Sequence, residues 1–121
     1  DLVEPLGYRD LVLALQGAHL VLTDSGGIQE EAPTLGTPVL VLRSVTERPE
    51  GIEAGVALLV GTDPEKILEE GRGILSSGQD GTRAASSANP YGDGGAGERI
   101  VDIVSSVLNN ESRSTTDWGG P

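Results

Sequence analysis

Short apolar runs separated by turn residues organise the first half of the chain, and their periods alternate. Leu11, Val12, Leu15 and Ala18 recur at helical spacing, which predicts a short helix over residues 10–16 with Gly17 as its stop. A strand-like run covers residues 19–23, a second covers 38–42 and a third covers 56–60. Their near-continuous apolar content is that of strands buried on both faces. Residues 1–4 read as the end of a further strand, cut short by Pro5. Between the first two runs the chain turns helical and closes on Gly36, and Pro33 must end or kink that helix because it lacks an amide donor. Residues 49–53 predict a helical turn ending at Gly55 and weakened by Gly51.

The second half is mainly helical. Thr62-Asp63-Pro64-Glu65 is a helix start, with Thr or Asp to cap, proline in the first turn and glutamate placed for a capping box. Ile67, Leu68, Ile74 and Leu75 give this helix its apolar face, while Gly71 and Gly73 each lower its intrinsic stability by about 1 kcal/mol relative to alanine. Residues 76–88, rich in Ser, Gly and Ala, predict a loop or loose helix. The turn cluster Asn89-Pro90-Tyr91-Gly92-Asp93-Gly94 leads into a last helix over residues 96–108, striped by Ile100, Val101, Val104, Val107 and Leu108. The polar, glycine-rich residues 109–121 lack periodicity and predict a disordered tail, so one folded unit is expected over residues 1–108. Strands alternating with helices imply an α/β fold with a parallel sheet and right-handed crossovers.

The candidate chemistry sits where the first of these strands passes into its helix, at Thr23-Asp24-Ser25-Gly26-Gly27-Ile28-Gln29-Glu30-Glu31-Ala32. Glycines at such a corner let backbone amides approach a ligand, the first-turn amides have no helical partners, and the aligned peptide dipoles add positive charge. A phosphate or diphosphate is the natural occupant. Ser25 can cap the helix or donate its hydroxyl to a phosphate oxygen. The bland alternative is a tight corner with no ligand. Glu30 and Glu31 fit a solvated helix face, or one of them accepts hydrogen bonds from ribose hydroxyls. Arg48 lies in the loop leaving the second strand's C-terminal end, where open α/β sheets place ligands, and its planar guanidinium suits a diphosphate. A salt bridge to Glu47 or Glu50 is the competing use for it. Leu11 reads as plain core, and His19 as a strand-start residue.

Charge narrows the partners. Eight basic against nineteen acidic side chains give a net charge of −11 over 121 residues, which argues against a nucleic-acid surface or an anionic membrane. The lack of cysteine excludes a disulfide framework, a thiolate metal site and a cysteine nucleophile, and a single histidine excludes a multi-histidine metal centre within the chain. No apolar run approaches membrane-spanning length and no charged-then-apolar leader opens the chain, so a cytoplasmic protein is the default expectation. The chain has no methionine and opens Asp1-Leu2-Val3, which reads as a piece of a longer protein.

The stretch Ser25-Gly26-Gly27-Ile28-Gln29-Glu30-Glu31-Ala32 is followed by Thr46-Glu47-Arg48-Pro49-Glu50, Leu59-Val60-Gly61-Thr62-Asp63 and Asn89-Pro90-Tyr91-Gly92-Asp93-Gly94, with Glu98-Arg99-Ile100-Val101 behind. In this order, and to about Leu108, the chain resembles the C-terminal part of the non-hydrolysing UDP-N-acetylglucosamine 2-epimerases. The resemblance implies part of the C-terminal, Rossmann-like half of a glycosyltransferase-B-type two-domain fold. It implies an enzyme that interconverts UDP-N-acetylglucosamine and UDP-N-acetylmannosamine by eliminating UDP and adding it back to the other face of the glycal. On it, UDP is bound by Ser25, Gly26, Gly27, Glu31, Arg48 and Leu11, with Glu31 on the ribose hydroxyls and Glu30 facing solvent or a neighbouring helix. The acid–base residues would lie outside this chain, and neither NAD nor a metal is implied. The intact enzyme would be a homodimer serving cell-surface polysaccharide biosynthesis. Leu11 stands where the family commonly has an aromatic residue, and Ser44-Val45 where an acid or amide followed by threonine is more usual. A glycosyltransferase of the same architecture and a non-catalytic nucleotide-binding module are the alternatives.

Overall fold

A computed structural model describes residues 1–76 and 89–120, so the predicted loop over 76–88 falls, beyond Ser76, outside the described residues. The elements are α1 (Tyr8–Gly17), β1 (Val21–Thr23), α2 (Gly26–Thr34), β2 (Val39–Val41), α3 (Pro49–Glu53), β3 (Ala57–Leu59), α4 (Pro64–Ser76) and α5 (Ala96–Asn109). The strands form a parallel sheet in the order β1-β2-β3, with Val21, Val39 and Ala57 in one row and Thr23, Val41 and Leu59 in another.

β2 is central, and all of its residues are buried, as its unbroken Val-Leu-Val sequence implies. Val39, Val41 and Ala57 meet Leu15 of α1 and Ala32 of α2, with Leu11, Ile28, Leu35 and Ile52 closing around them. Leu40 is fully buried on the opposite face. Burial of such a side chain contributes about 1.5–3 kcal/mol. α4 reaches this face at Gly71, where an added Cβ would lie 3.7 Å from Leu20 and 3.8 Å from Leu40. The glycine that weakens the isolated helix therefore brings its backbone close to the sheet.

Two helix ends feed the next strand by the same device. Gly36 (φ 79°) follows α2, with its N–H donating to Pro33 O at 2.9 Å and the Thr37 N–H to Ala32 O at 3.0 Å. Gly55 (φ 73°) follows α3, with matching bonds from Gly55 N–H to Ile52 O and from Val56 N–H to Gly51 O, both 3.0 Å. These are Schellman turns, and the left-handed residue each requires is the glycine. Thr37 is buried and its hydroxyl donates to Leu15 O at 2.8 Å, tying the end of α2 to the end of α1.

Several expectations need correction. Residues 1–4 form no strand, and Leu2 and Val3 are exposed, because this segment has no ladder partner among the described residues. α1 begins at Tyr8, and Gly17 is its last residue rather than a left-handed stop; extended Ala18 caps it. Asp63 caps α4 by accepting the Glu65 N–H at 3.0 Å, which puts Glu65 one position too early for a capping box. The stripe of α5 is present but exposed, with Val107 at 75% and Leu108 at 78%. Beyond α5 the chain runs back as a strap along the helix, where Asp102 accepts the backbone N–H and hydroxyl of both Ser114 and Thr115 at 2.7–2.9 Å.

Candidate diphosphate-binding site

β1 ends at Thr23, whose hydroxyl oxygen accepts the Ser25 N–H at 3.0 Å and shapes the corner. Ser25 is extended (φ −79°, ψ 130°) and serves as the N-cap residue of α2 by position, although its hydroxyl makes no cap hydrogen bond. The first intrahelical bond runs from Gln29 N–H to Ser25 O at 3.3 Å. The amides of Gly26, Gly27 and Ile28 precede that bond and so lie in the part of a helix that lacks internal acceptors. Ser25 and Gly27 are exposed and Gly26 is half-buried.

Arg48 crosses this corner. Its Cζ lies 3.4 Å, and its Nη2 3.5 Å, from the point a Cβ on Gly26 would occupy. A glycine at 26 is thus what lets a guanidinium sit over the helix start. The sequence offered Glu47 or Glu50 as competing partners, but the structure pairs Arg48 Nε with Glu30 Oε1 at 2.6 Å, leaving Glu47 at 4.0 Å. Glu30 therefore faces the β2–α3 loop and a cation, correcting its assignment to solvent or another helix. That hydrogen bond, with the Glu30 charge, raises the Arg48 pKa above its ordinary value.

Glu31, about 100° further round the helix, points elsewhere. Its Oε1 lies 3.7 Å from the Cβ position of Gly27, on the exposed side of the corner. Its Oε2 is buried and has no hydrogen-bond partner among the described residues. Buried polar atoms are nearly always satisfied, so this acceptor is open to a donor from elsewhere; the Tyr91 hydroxyl and Arg113 Nη2 are in the same state. The corner thus gathers Ser25, Gly26, Gly27, Glu31 and Arg48. Leu11 is half-buried against the core cluster, as plain core would be, so its place beside a base rests on the resemblance.

Sequence reasoning missed Gln29, Thr46 and Tyr91. Gln29 is 1% exposed; its Nε2 donates to Ser25 O at 3.2 Å and its Oε1 accepts the Thr46 hydroxyl at 2.6 Å. The signal was available: Gln29 lies three and four residues before Ala32 and Pro33, on the buried stripe of α2, where a polar side chain needs a partner. The Tyr91 side chain lies against the backbone of Gly51, its hydroxyl filling the space a Cβ there would take. Burial, then the charges of Glu50 and Glu30, pushes its hydroxyl pKa up. Asn89 fastens this turn, donating to Thr34 Oγ1 and to Gly92 O at 3.0 Å. Among the described residues no group of His, Asp or Glu side chains is arranged to hold a metal ion, and no helix is long and apolar enough to cross a membrane.

The class is a Rossmann-like parallel α/β domain with a glycine-rich strand-to-helix corner. More narrowly, the chain belongs to the UDP-N-acetylglucosamine 2-epimerase family, whose model matches residues 1–105. It is 44% identical over 111 residues to the UDP-N-acetylglucosamine 2-epimerase of Campylobacter jejuni, covering 92% of this chain and 29% of that protein. It is 50% identical over 101 residues to that of Bacillus subtilis, covering 84% of this chain and 27% of that one. The co-structure of S. aureus MnaA with UDP superposes with a TM-score of 0.87 at 43% identity, over 98% of this chain and 33% of the other. The chain thus spans under a third of the length of the curated relatives it matches.

Proposed function

We propose that this chain is the UDP-binding, C-terminal part of an enzyme that interconverts UDP-N-acetylglucosamine and UDP-N-acetylmannosamine. The observation that carries the reading is the buried Oε2 of Glu31, unmatched among the described residues, one turn beyond glycine amides that Arg48 overhangs. An acceptor suited to ribose hydroxyls then stands one helical turn from a set of donors suited to the diphosphate. The UDP-bound S. aureus relative supports the choice of nucleotide.

In this reaction UDP leaves the sugar as an anion and must stay in place until it attacks the opposite face. Preorganised amides at Gly26, Gly27 and Ile28 stabilise the charge that develops on the leaving diphosphate, with the Ser25 hydroxyl beside them, and Arg48 adds a cation without needing to reorganise. Glu31 holds the nucleoside end, so that the detached diphosphate does not drift. The C2 proton is handled by residues outside this chain. The intact enzyme would work as a cytoplasmic homodimer supplying cell-surface polysaccharide synthesis.

The test is titration of the intact protein with UDP, followed by assay for UDP-N-acetylmannosamine. Binding with epimerisation supports the reading. Glycosyl transfer from a UDP-sugar without epimerisation would support a transferase of the same architecture, and the absence of UDP binding would remove both. The chain alone is expected to show no epimerase activity, and its formation of UDP-N-acetylmannosamine would place the acid–base residues here.

A further inference from the structure

Gln29 and Glu30 are consecutive on α2, and they diverge because successive helical side chains point about 100° apart. Gln29 turns inward and is buried; Glu30 turns towards the β2–α3 loop. Both reach Arg48, by different routes. The Gln29 amide orientation is dictated by its neighbours: Ser25 O can only accept, so Nε2 faces it, and Oε1 therefore faces Thr46. The Thr46 hydroxyl gives its one proton to Gln29 Oε1 at 2.6 Å and accepts the Arg48 backbone N–H at 3.1 Å. Glu30 takes the other end of the same residue through Nε at 2.6 Å. One chain of bonds thus runs from the carbonyl of Ser25 to the backbone of Arg48, and the ion pair fixes the side chain.

We propose that Gln29, Thr46 and Glu30 are positioning residues that lock the Ser25–Gly27 corner and Arg48 into one preset anion-binding unit. The proposal rests on the reading of this corner as the diphosphate site. Pairing through Nε leaves the Nη side of the fork near Gly26, with Nη2 3.5 Å from that residue's Cβ position. The glutamate therefore aims the guanidinium without itself covering the Nη edge, where Glu47 Oε2 stands 4.0 Å from Nη1. Thr46→Val keeps the shape but strands a buried acceptor on Gln29 and releases the Arg48 backbone.

The experiment uses the intact protein and compares UDP with uridine, which lacks phosphate. Glu30→Gln and Thr46→Val should each weaken UDP binding about tenfold. Uridine binding, measured by NMR titration, should stay within about twofold, which also reports that each variant is folded. Thr46→Ser should restore UDP affinity. In an Arg48→Ala background, Glu30→Gln should have no further effect on UDP binding. Equal losses for uridine and UDP, failure of Thr46→Ser to rescue, or additive effects of Glu30→Gln and Arg48→Ala would overturn the proposal while leaving the site intact. If Arg48→Ala itself leaves UDP affinity unchanged, the reading of the corner is what fails, and the proposal falls with it.

Discussion

Glu31 on α2 and Asp102 on α5 are both helix carboxylates beside a loop, and they are used in opposite ways. Asp102 accepts four hydrogen bonds, two from Ser114 and two from Thr115, and its pKa falls to about 2, first because of the Thr115 backbone N–H. Its Oδ2 takes three of the four bonds and its Oδ1 the fourth. Glu31 keeps one oxygen buried and unmatched among the described residues. A neighbouring pair repeats the contrast: Asp93 grips Arg99 through both carboxylate oxygens, whereas Glu30 takes only Nε of Arg48. The C-terminal region spends its charges on holding itself together. The α2 corner holds itself with Gln29, Thr46 and Glu30, and keeps amides, guanidinium nitrogens and a carboxylate oxygen in reserve. Hydrogen-bond satisfaction separates these two carboxylates, although Arg113 Nη2 in the C-terminal region is also buried and unmatched among the described residues.

The largest test of that contrast is a pair of substitutions in the intact protein. Glu31→Gln should weaken UDP binding about tenfold to a hundredfold, because a charge-assisted bond is worth roughly 1.5–3 kcal/mol. Asp102→Asn should leave UDP affinity unchanged. Calorimetric titration of both variants decides the matter, and comparable losses would erase the distinction.

Gly51→Ala probes how the turn at 89–94 is seated. The Tyr91 hydroxyl already occupies the space of the new methyl, and overpacking of this kind costs about 1–3 kcal/mol. The melting temperature should fall by several degrees. An unchanged transition would show that the ring moves aside freely.

The exposed stripe of α5 and the half-exposed Leu22 of edge strand β1 leave apolar surface open in the chain by itself. The chain prepared alone should therefore associate as its concentration rises. Sedimentation as a monomer, with a melting transition independent of concentration, would count against this.

The smallest effect concerns acid. A carboxylate held below its ordinary pKa contributes its stabilisation in full above that value and loses it as pH falls through the lowered one. For Asp102 the window runs from 3.8 down to about 2, so the strap should loosen there. Asp93, lowered chiefly by its bond from Arg99, adds to the loss in the same direction. Trp118 is the only tryptophan and lines the same hollow as Arg99, Ile103 and Arg113, so its fluorescence should report the change. Asp102→Asn should shift that signal already at neutral pH.

Much of this was readable from the chain before folding. The alternation of apolar runs and helical spacings set the α/β class, Gly36 and Gly55 marked both Schellman turns, and Ser25-Gly26-Gly27 marked the corner, because each depends on residues close in sequence. The choice between partners was not readable. Arg48 lies next to Glu47 and two residues before Glu50, yet it pairs with Glu30, eighteen positions away. Only the packing of α2 beside the β2–α3 loop brings those atoms together. Gln29 and Thr46 meet for the same reason, and Gly51 is required by a tyrosine forty residues on. Local pattern determines which backbone forms; the three-dimensional neighbourhood decides which polar atoms are satisfied, and with that which remain free to bind.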